Sequence, residues 1–153
     1  MLISIKSTNL CVGIPTAQGQ SVEMARKILV VDDEPDICFV LEKTLGQNGF
    51  MVDSYDDPLL ALENFKPHSY SLVILDIRMP GLNGFALYRE IKILDKKVKV
   101  CFLTAGEMYY GYSDIFSSLP ANYFIRKPID NELLMKRINE IIADAAIAYK
   151  YCL

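Results

Sequence analysis

The stretch that most constrains the fold is Leu72-Val73-Ile74-Leu75-Asp76, an unbroken apolar run that delivers one carboxylate to the turn Ile77-Arg78-Met79-Pro80-Gly81-Leu82-Asn83-Gly84. A short run without polar alternation, bounded by turn residues, reads as a strand buried on both faces, and such strands belong to parallel sheets with helices on each side. The pattern recurs upstream. Lys27-Ile28-Leu29-Val30-Val31 ends in Asp32-Asp33-Glu34-Pro35. A carboxylate where a buried strand leaves its sheet calls for a partner, a metal or a reaction.

The remaining elements alternate. After Pro35, Ile37, Val40, Leu41, Thr44 and Leu45 recur at helical spacing, and Gly46 to Gly49 stop that helix. Residues 50–55 read as a strand, Asp56 and Asp57 before Pro58 cap a short helix to about Asn64, and Lys66-Pro67-His68 breaks it. Asn83-Gly84 opens a helix with Phe85, Leu87, Ile91 and Leu94 on its apolar side, ending at Asp95-Lys96-Lys97. Val98 to Thr104 is the fourth strand, Glu107 to about Ser118 a helix, and Asn122 to Arg126 the fifth strand. Asp130 caps a final helix expected to reach about Tyr149, burying Ile138, Ile141, Ile142 and Ala145. Five strands alternating with helices define an α/β fold with a five-stranded parallel sheet covered on both faces. Residues 1–25 read as a flexible N-terminal leader, 26–145 as the folded domain and 146–153 as a short tail continuing the last helix.

Bulk properties exclude several function classes. The chain has 153 residues, 52% of them hydrophobic, enough for one domain with a true core. A net charge of -3 and no Lys/Arg run argue against direct nucleic-acid binding. No apolar run approaches the roughly 18 residues that span a bilayer, so no membrane partner is expected. Cys11, Cys38, Cys101 and Cys152 lack metal or redox spacing and read as reduced, mostly buried thiols, in keeping with a cytoplasmic protein.

In a doubly wound sheet, functional groups gather beyond the carboxyl ends of the strands. Here those ends carry Asp32 and Asp33, Asp76, Thr104 and Lys127. Converging carboxylates repel by about 4 kcal/mol per pair at 4 Å and an effective dielectric near 20, so a cation is needed among them. Mg²⁺ suits an all-oxygen set, and His68, the sole histidine, offers no softer cluster. Lys127 and Thr104 supply a positive charge and a hydroxyl for phosphoryl oxygens. Asp76 is the best nucleophile for accepting a phosphoryl group.

Four segments, Lys27 to Pro35, Leu75 to Gly84, Phe102-Leu103-Thr104-Ala105 and Phe124-Ile125-Arg126-Lys127-Pro128, together resemble the receiver domain of two-component response regulators. The resemblance implies a flavodoxin-like (βα)5 fold with strand order 2-1-3-4-5. It implies that Asp76 is the phosphoacceptor, that Asp33 and Asp76 bind Mg²⁺ (or Mn²⁺) directly with Asp32 acting mainly through water, and that the Arg78 backbone carbonyl is a further ligand. Lys127 would pair with the phosphoryl group, and its bond to Pro128 would be cis. Thr104 and Phe124 would form the switch, with phenylalanine standing where many members have tyrosine. Tyr123, beside it, would point to the opposite face. The implied partners are a sensor histidine kinase and an unknown output protein meeting residues 107–126 and the last helix, with a phosphorylation-dependent dimer as a further state. Because the sequence ends soon after the final helix, a stand-alone receiver is expected.

Singly, these residues have ordinary readings: Asp32, Asp33 and Asp57 as helix caps, Thr104 as a strand-end hydroxyl, Lys127 and Arg78 as solvated charges. His68 reads as an exposed loop residue. Tyr109, Tyr110, Tyr112 and Phe116 exceed what a buried helix face needs and suggest a partner-binding surface. Two rivals stand beside the receiver. An aspartate-nucleophile phosphatase resembles this chemistry but has an acid two residues beyond its nucleophile, where this chain has Arg78. A degenerate receiver used only for interaction is opposed by the intact Asp33, Asp76, Thr104 and Lys127.

Overall fold

The computed structural model describes residues 26–106 and 113–144. Strands β1 (Lys27–Val31), β2 (Met51–Tyr55), β3 (Leu72–Asp76), β4 (Lys99–Thr104) and β5 (Phe124–Arg126) alternate with helices α1 (Pro35–Gln47), α2 (Pro58–Glu63), α3 (Gly84–Leu94), α4 (Ser113–Ser118) and α5 (Asn131–Ala143). The strands are parallel and ordered β2-β1-β3-β4-β5, as the family resemblance implied. β3 is buried at every position, which is why its sequence shows no alternation. β2 lies at the sheet edge, with Met51 exposed and Val52 to Tyr55 half-buried, so neither of its faces is fully covered.

Local signals explain the helix boundaries. Pro35 occupies the first turn of α1, and Gly49, at φ +86°, reverses the chain after it. Asp57 accepts from the N–H groups of Leu59 and Leu60 at the start of α2, Asn83 from Ala86 at the start of α3, and Asp130 from Leu133 at the start of α5. Asp95 is buried after α3 because its carboxylate accepts from the backbone N–H groups of His68, Lys97 and Val98.

Several expectations are corrected. Val40 and Leu94 are exposed, whereas Cys38 and Tyr88 are buried on the same helices. α5 ends at Ala143, with Asp144 in extended backbone, short of Tyr149. Residues 121–123 form a 3-10 turn, so β5 begins at Phe124 and Tyr123 precedes the strand. That turn buries Tyr123, whose hydroxyl lies 3.5 Å from Asp144 Oδ2. α4 is described from Ser113, and Glu107 to Tyr112, with the three tyrosines read as a partner surface, lies outside the described residues, as do the Phe116 side chain, Ala145 and the segments 1–25 and 146–153. Cys38 and Cys101 are buried free thiols, and Cys11 and Cys152 lie outside the described residues. Among the described residues no helix is long and apolar enough to cross a membrane.

The core that results is continuous on both sides of the sheet. It includes Leu41 and Leu45 of α1, Phe85, Leu87 and Ile91 of α3, and Leu134, Ile138 and Ile141 of α5. Each such side chain contributes about 1.5–3 kcal/mol through removal of apolar surface from water. This packing fixes the strand ends, and with them the acids that follow β1 and end β3.

Candidate functional site

Asp32 follows β1 and Asp76 ends β3, and because β1 and β3 are paired neighbours the two acids sit side by side. Asp32 is fully buried and Asp76 nearly so. Asp32, Asp33 and Asp76 each bring a carboxylate oxygen to within 4.8 Å of the others. Asp32 Oδ1 accepts the Glu34 N–H at 3.0 Å, whereas Asp32 Oδ2 is buried without an aligned hydrogen-bond donor. Three carboxylates in this arrangement, with an Asp32 oxygen buried and without an aligned hydrogen-bond donor, fit a hard divalent cation.

Lys127 follows β5 and reaches back across the strand ends. Its Nζ lies 2.8 Å from Asp32 Oδ2, 3.2 Å from Glu34 Oε1 and 3.4 Å from Asp76 Oδ1. The approach to Asp32 is a charge contact without hydrogen-bond alignment. The Lys127-Pro128 peptide bond is cis. Burial works against the ammonium, but the carboxylates of Asp32, Asp76 and Glu34 outweigh it and hold the lysine protonated above its ordinary range. Asp76 moves in the opposite sense. Burial and then the adjacent Asp32 charge push its carboxyl up to about 7, against the pull of Lys127. Burial likewise raises Asp32, with Lys127 and the Glu34 N–H opposing.

The site opens into a cleft of about 560 Å³ lined by Asp33, Asp76, Arg78 and Lys127 among others. Arg78 is exposed at its rim. Thr104 ends β4, but its Oγ1 accepts the Gly106 N–H at 3.0 Å and is held in its own loop. Its carbonyl accepts the Lys127 N–H at 2.8 Å. Phe124 is half-buried, its ring stacked 5.5 Å from that of Phe102, which also touches Phe85 and Tyr88. The structure therefore brings Asp32, Asp33, Asp76 and Lys127 together, and sets Thr104 and Phe124 on the adjoining strands. Glu34 was not among the expected site residues. Its signal was the Asp-Asp-Glu-Pro order, which places a third acid at the first turn of α1 facing the cleft.

An acidic cluster at the switch point of a 2-1-3-4-5 sheet, with a lysine after the last strand, is the arrangement that the resemblance to receiver domains implied, and its carboxylates would repel the phosphate that a nucleotide-binding protein cradles there. The comparisons agree. Residues 28–139 match the response regulator receiver domain family, and the chain belongs to it. It is 31% identical over 120 residues to the chemotaxis protein CheY of Bacillus subtilis, spanning 78% of this chain and 99% of that protein. The chain spans about half the length of several further curated relatives. Among solved structures, the non-phosphorylated HemR receiver domain of Leptospira biflexa is 28% identical, with a TM-score of 0.70 over 78% of this chain and 96% of that one. A chain from the complex of histidine kinase ThkA with response regulator protein TrrA is 31% identical, with a TM-score of 0.65 over 77% of this chain and 99% of that one.

Proposed function

We propose that the chain is a phosphoacceptor switch that takes a phosphoryl group from a partner histidine kinase onto Asp76. The observation that carries this is the pairing of a buried strand-end carboxylate, Asp76, with Lys127 at 3.4 Å and two further acids within 4.8 Å. Asp33, Asp76 and Asp32 would hold Mg²⁺ with the Arg78 carbonyl, Mn²⁺ serving as a substitute. When bound, the ion neutralises the acids and the charge spread over a transferring phosphoryl group. An Asp76 oxygen attacks phosphorus, the bond from phosphorus to the donor nitrogen breaks, and the leaving imidazole keeps the electron pair. Lys127 orients the phosphoryl oxygens. Thr104 leaves the Gly106 N–H to bind one of them, and its loop and Phe124 carry the change to an output protein at residues 107–126 and α5, or to a second copy of the chain. The kinase partner is supported by the similarity to a chain of a kinase–regulator complex.

The phosphatase alternative lacks support at Arg78, which occupies the position of the second acid. Incubation with Mg²⁺ and acetyl phosphate, or with Mg²⁺ and beryllofluoride, separates the readings. A stoichiometric adduct that is absent in Asp76→Asn is the expected result. Catalytic turnover of phosphomonoesters points to the phosphatase, and no response to either reagent leaves only a degenerate receiver.

A further inference from the structure

Lys127 has three acidic neighbours, and one of them lies outside the buried acid cluster. Glu34 Oε1 stands 3.2 Å from the ammonium, although the two residues are 93 positions apart, and the Glu34 side chain is 63% exposed against 16% for the lysine. Its main chain is fixed from both sides. The N–H donates to Asp32 Oδ1, and the carbonyl accepts from Ile37 and Cys38 at the start of α1. Glu34 occupies the N-cap position of α1 yet makes no side-chain capping bond. Its carboxylate therefore leaves the helix end unserved and is turned across the cleft to Lys127.

The geometry points to Glu34 as a positioning residue that holds Lys127 in the resting state and is the partner that yields when Asp76 acquires a phosphoryl group. This rests on the receiver reading above. Of the three acids Asp32, Asp76 and Glu34, Glu34 is the one that accepts an aligned hydrogen bond from the ammonium, so a phosphoryl oxygen on Asp76 that draws Lys127 to itself competes with Glu34 for the lysine. Asp32 is fully buried, and withdrawing its cation would strand a charge away from water. Glu34 is solvated, and its release costs little. The exchange thus runs through Glu34, which sets how strongly the empty site resists occupation.

The test is the apparent affinity of the full chain for beryllofluoride in Mg²⁺. Glu34→Gln removes the charge, and Glu34→Asp keeps the charge but shortens the side chain so that it no longer reaches Lys127. Both should tighten binding about threefold to fivefold, the weight of an exposed ion pair. Asp36→Asn, an equal change of charge in the first turn of the same helix, should leave the affinity within about 1.5-fold, since solvent screens a charge that makes no contact. The inference is overturned if Asp36→Asn matches Glu34→Gln, if Glu34→Asp behaves as wild type, or if Glu34→Gln does not tighten binding. A wild-type chain that takes up no beryllofluoride overturns the receiver reading and this inference with it, whereas normal wild-type uptake with an unchanged Glu34→Gln overturns the inference alone.

Discussion

Gly84 packs directly on the main chain of Asp76. A Cβ on Gly84 would overlap the Asp76 carbonyl oxygen and lie 2.9 Å from its carbonyl carbon, and the Gly84 N–H donates to the Ile77 carbonyl at 2.9 Å. The turn after β3 thus closes onto the proposed phosphoacceptor itself. Gly84→Ala must push the two backbones apart, and no flexible side chain is present to absorb the shift. The expected cost is about 2–3 kcal/mol in urea unfolding, with loss of beryllofluoride uptake even in the folded fraction.

Asp76 gives the chain a pH dependence whose sign follows from its environment. Its carboxyl lies at about 7 in the folded protein against 3.8 as a free side chain, because burial and Asp32 disfavour the charge. Below pH 4 both folded and unfolded chains keep the proton. Between pH 4 and 7 the unfolded chain releases it first, so without metal the group's contribution to stability falls as pH rises. Asp76→Asn lacks this titration. Its stability advantage over wild type should grow from pH 4 to 7, reach on the order of 4 kcal/mol, and level off above. Saturating Mg²⁺ should shrink the advantage. Thermal melts of both proteins in metal-free and Mg²⁺ buffers check this, and an advantage that does not change with pH would count against it.

The described thiols should be inert while the chain is folded. The Cys38 thiol, buried and donating to the Asp32 carbonyl at 3.2 Å, is pushed up to about 11, and that of Cys101, wholly buried in β4, to about 12. Thiolates, not thiols, react with disulfide reagents. In a Cys11→Ser, Cys152→Ser chain at pH 8, modification by a chromogenic disulfide should proceed at the rate of unfolding and reach completion only in denaturant. Rapid labelling of the native chain would contradict the burial.

The strands and the acid cluster were legible in the sequence because their signals are local. β1, β3 and β4 are continuous apolar runs, and in a parallel sheet whatever follows each run lies at the same edge. Helix phase was harder to read. Placing Val40 and Leu94 inside followed hydrophobicity, but the rotation of α1 and α3 is set by Leu41, Leu45, Phe85 and Ile91 together, and it turns Cys38 and Tyr88 inward instead. The end of α5 was obscured because the apolar and alanine-rich sequence continues past Asp144. In the last turn of α5 Lys99 donates to the Ile142 carbonyl at 2.7 Å, a contact between residues 43 positions apart that no local window contains. The same holds for Glu34 and Lys127. The Asp32–Asp33 pair announced itself by adjacency, but the acid next to it acquires its partner only when β5 is laid at the far side of the sheet.

One backbone contact binds the two sides of the proposed switch. The Lys127 N–H donates to the Thr104 carbonyl at 2.8 Å, immediately beyond the registered pair Thr104 and Arg126. The hydroxyl that would leave its loop and the ammonium that would change partners in the proposed switch hang from opposite ends of a single peptide hydrogen bond. They therefore form one lever with a shared pivot, and a displacement of either strand end is felt at both.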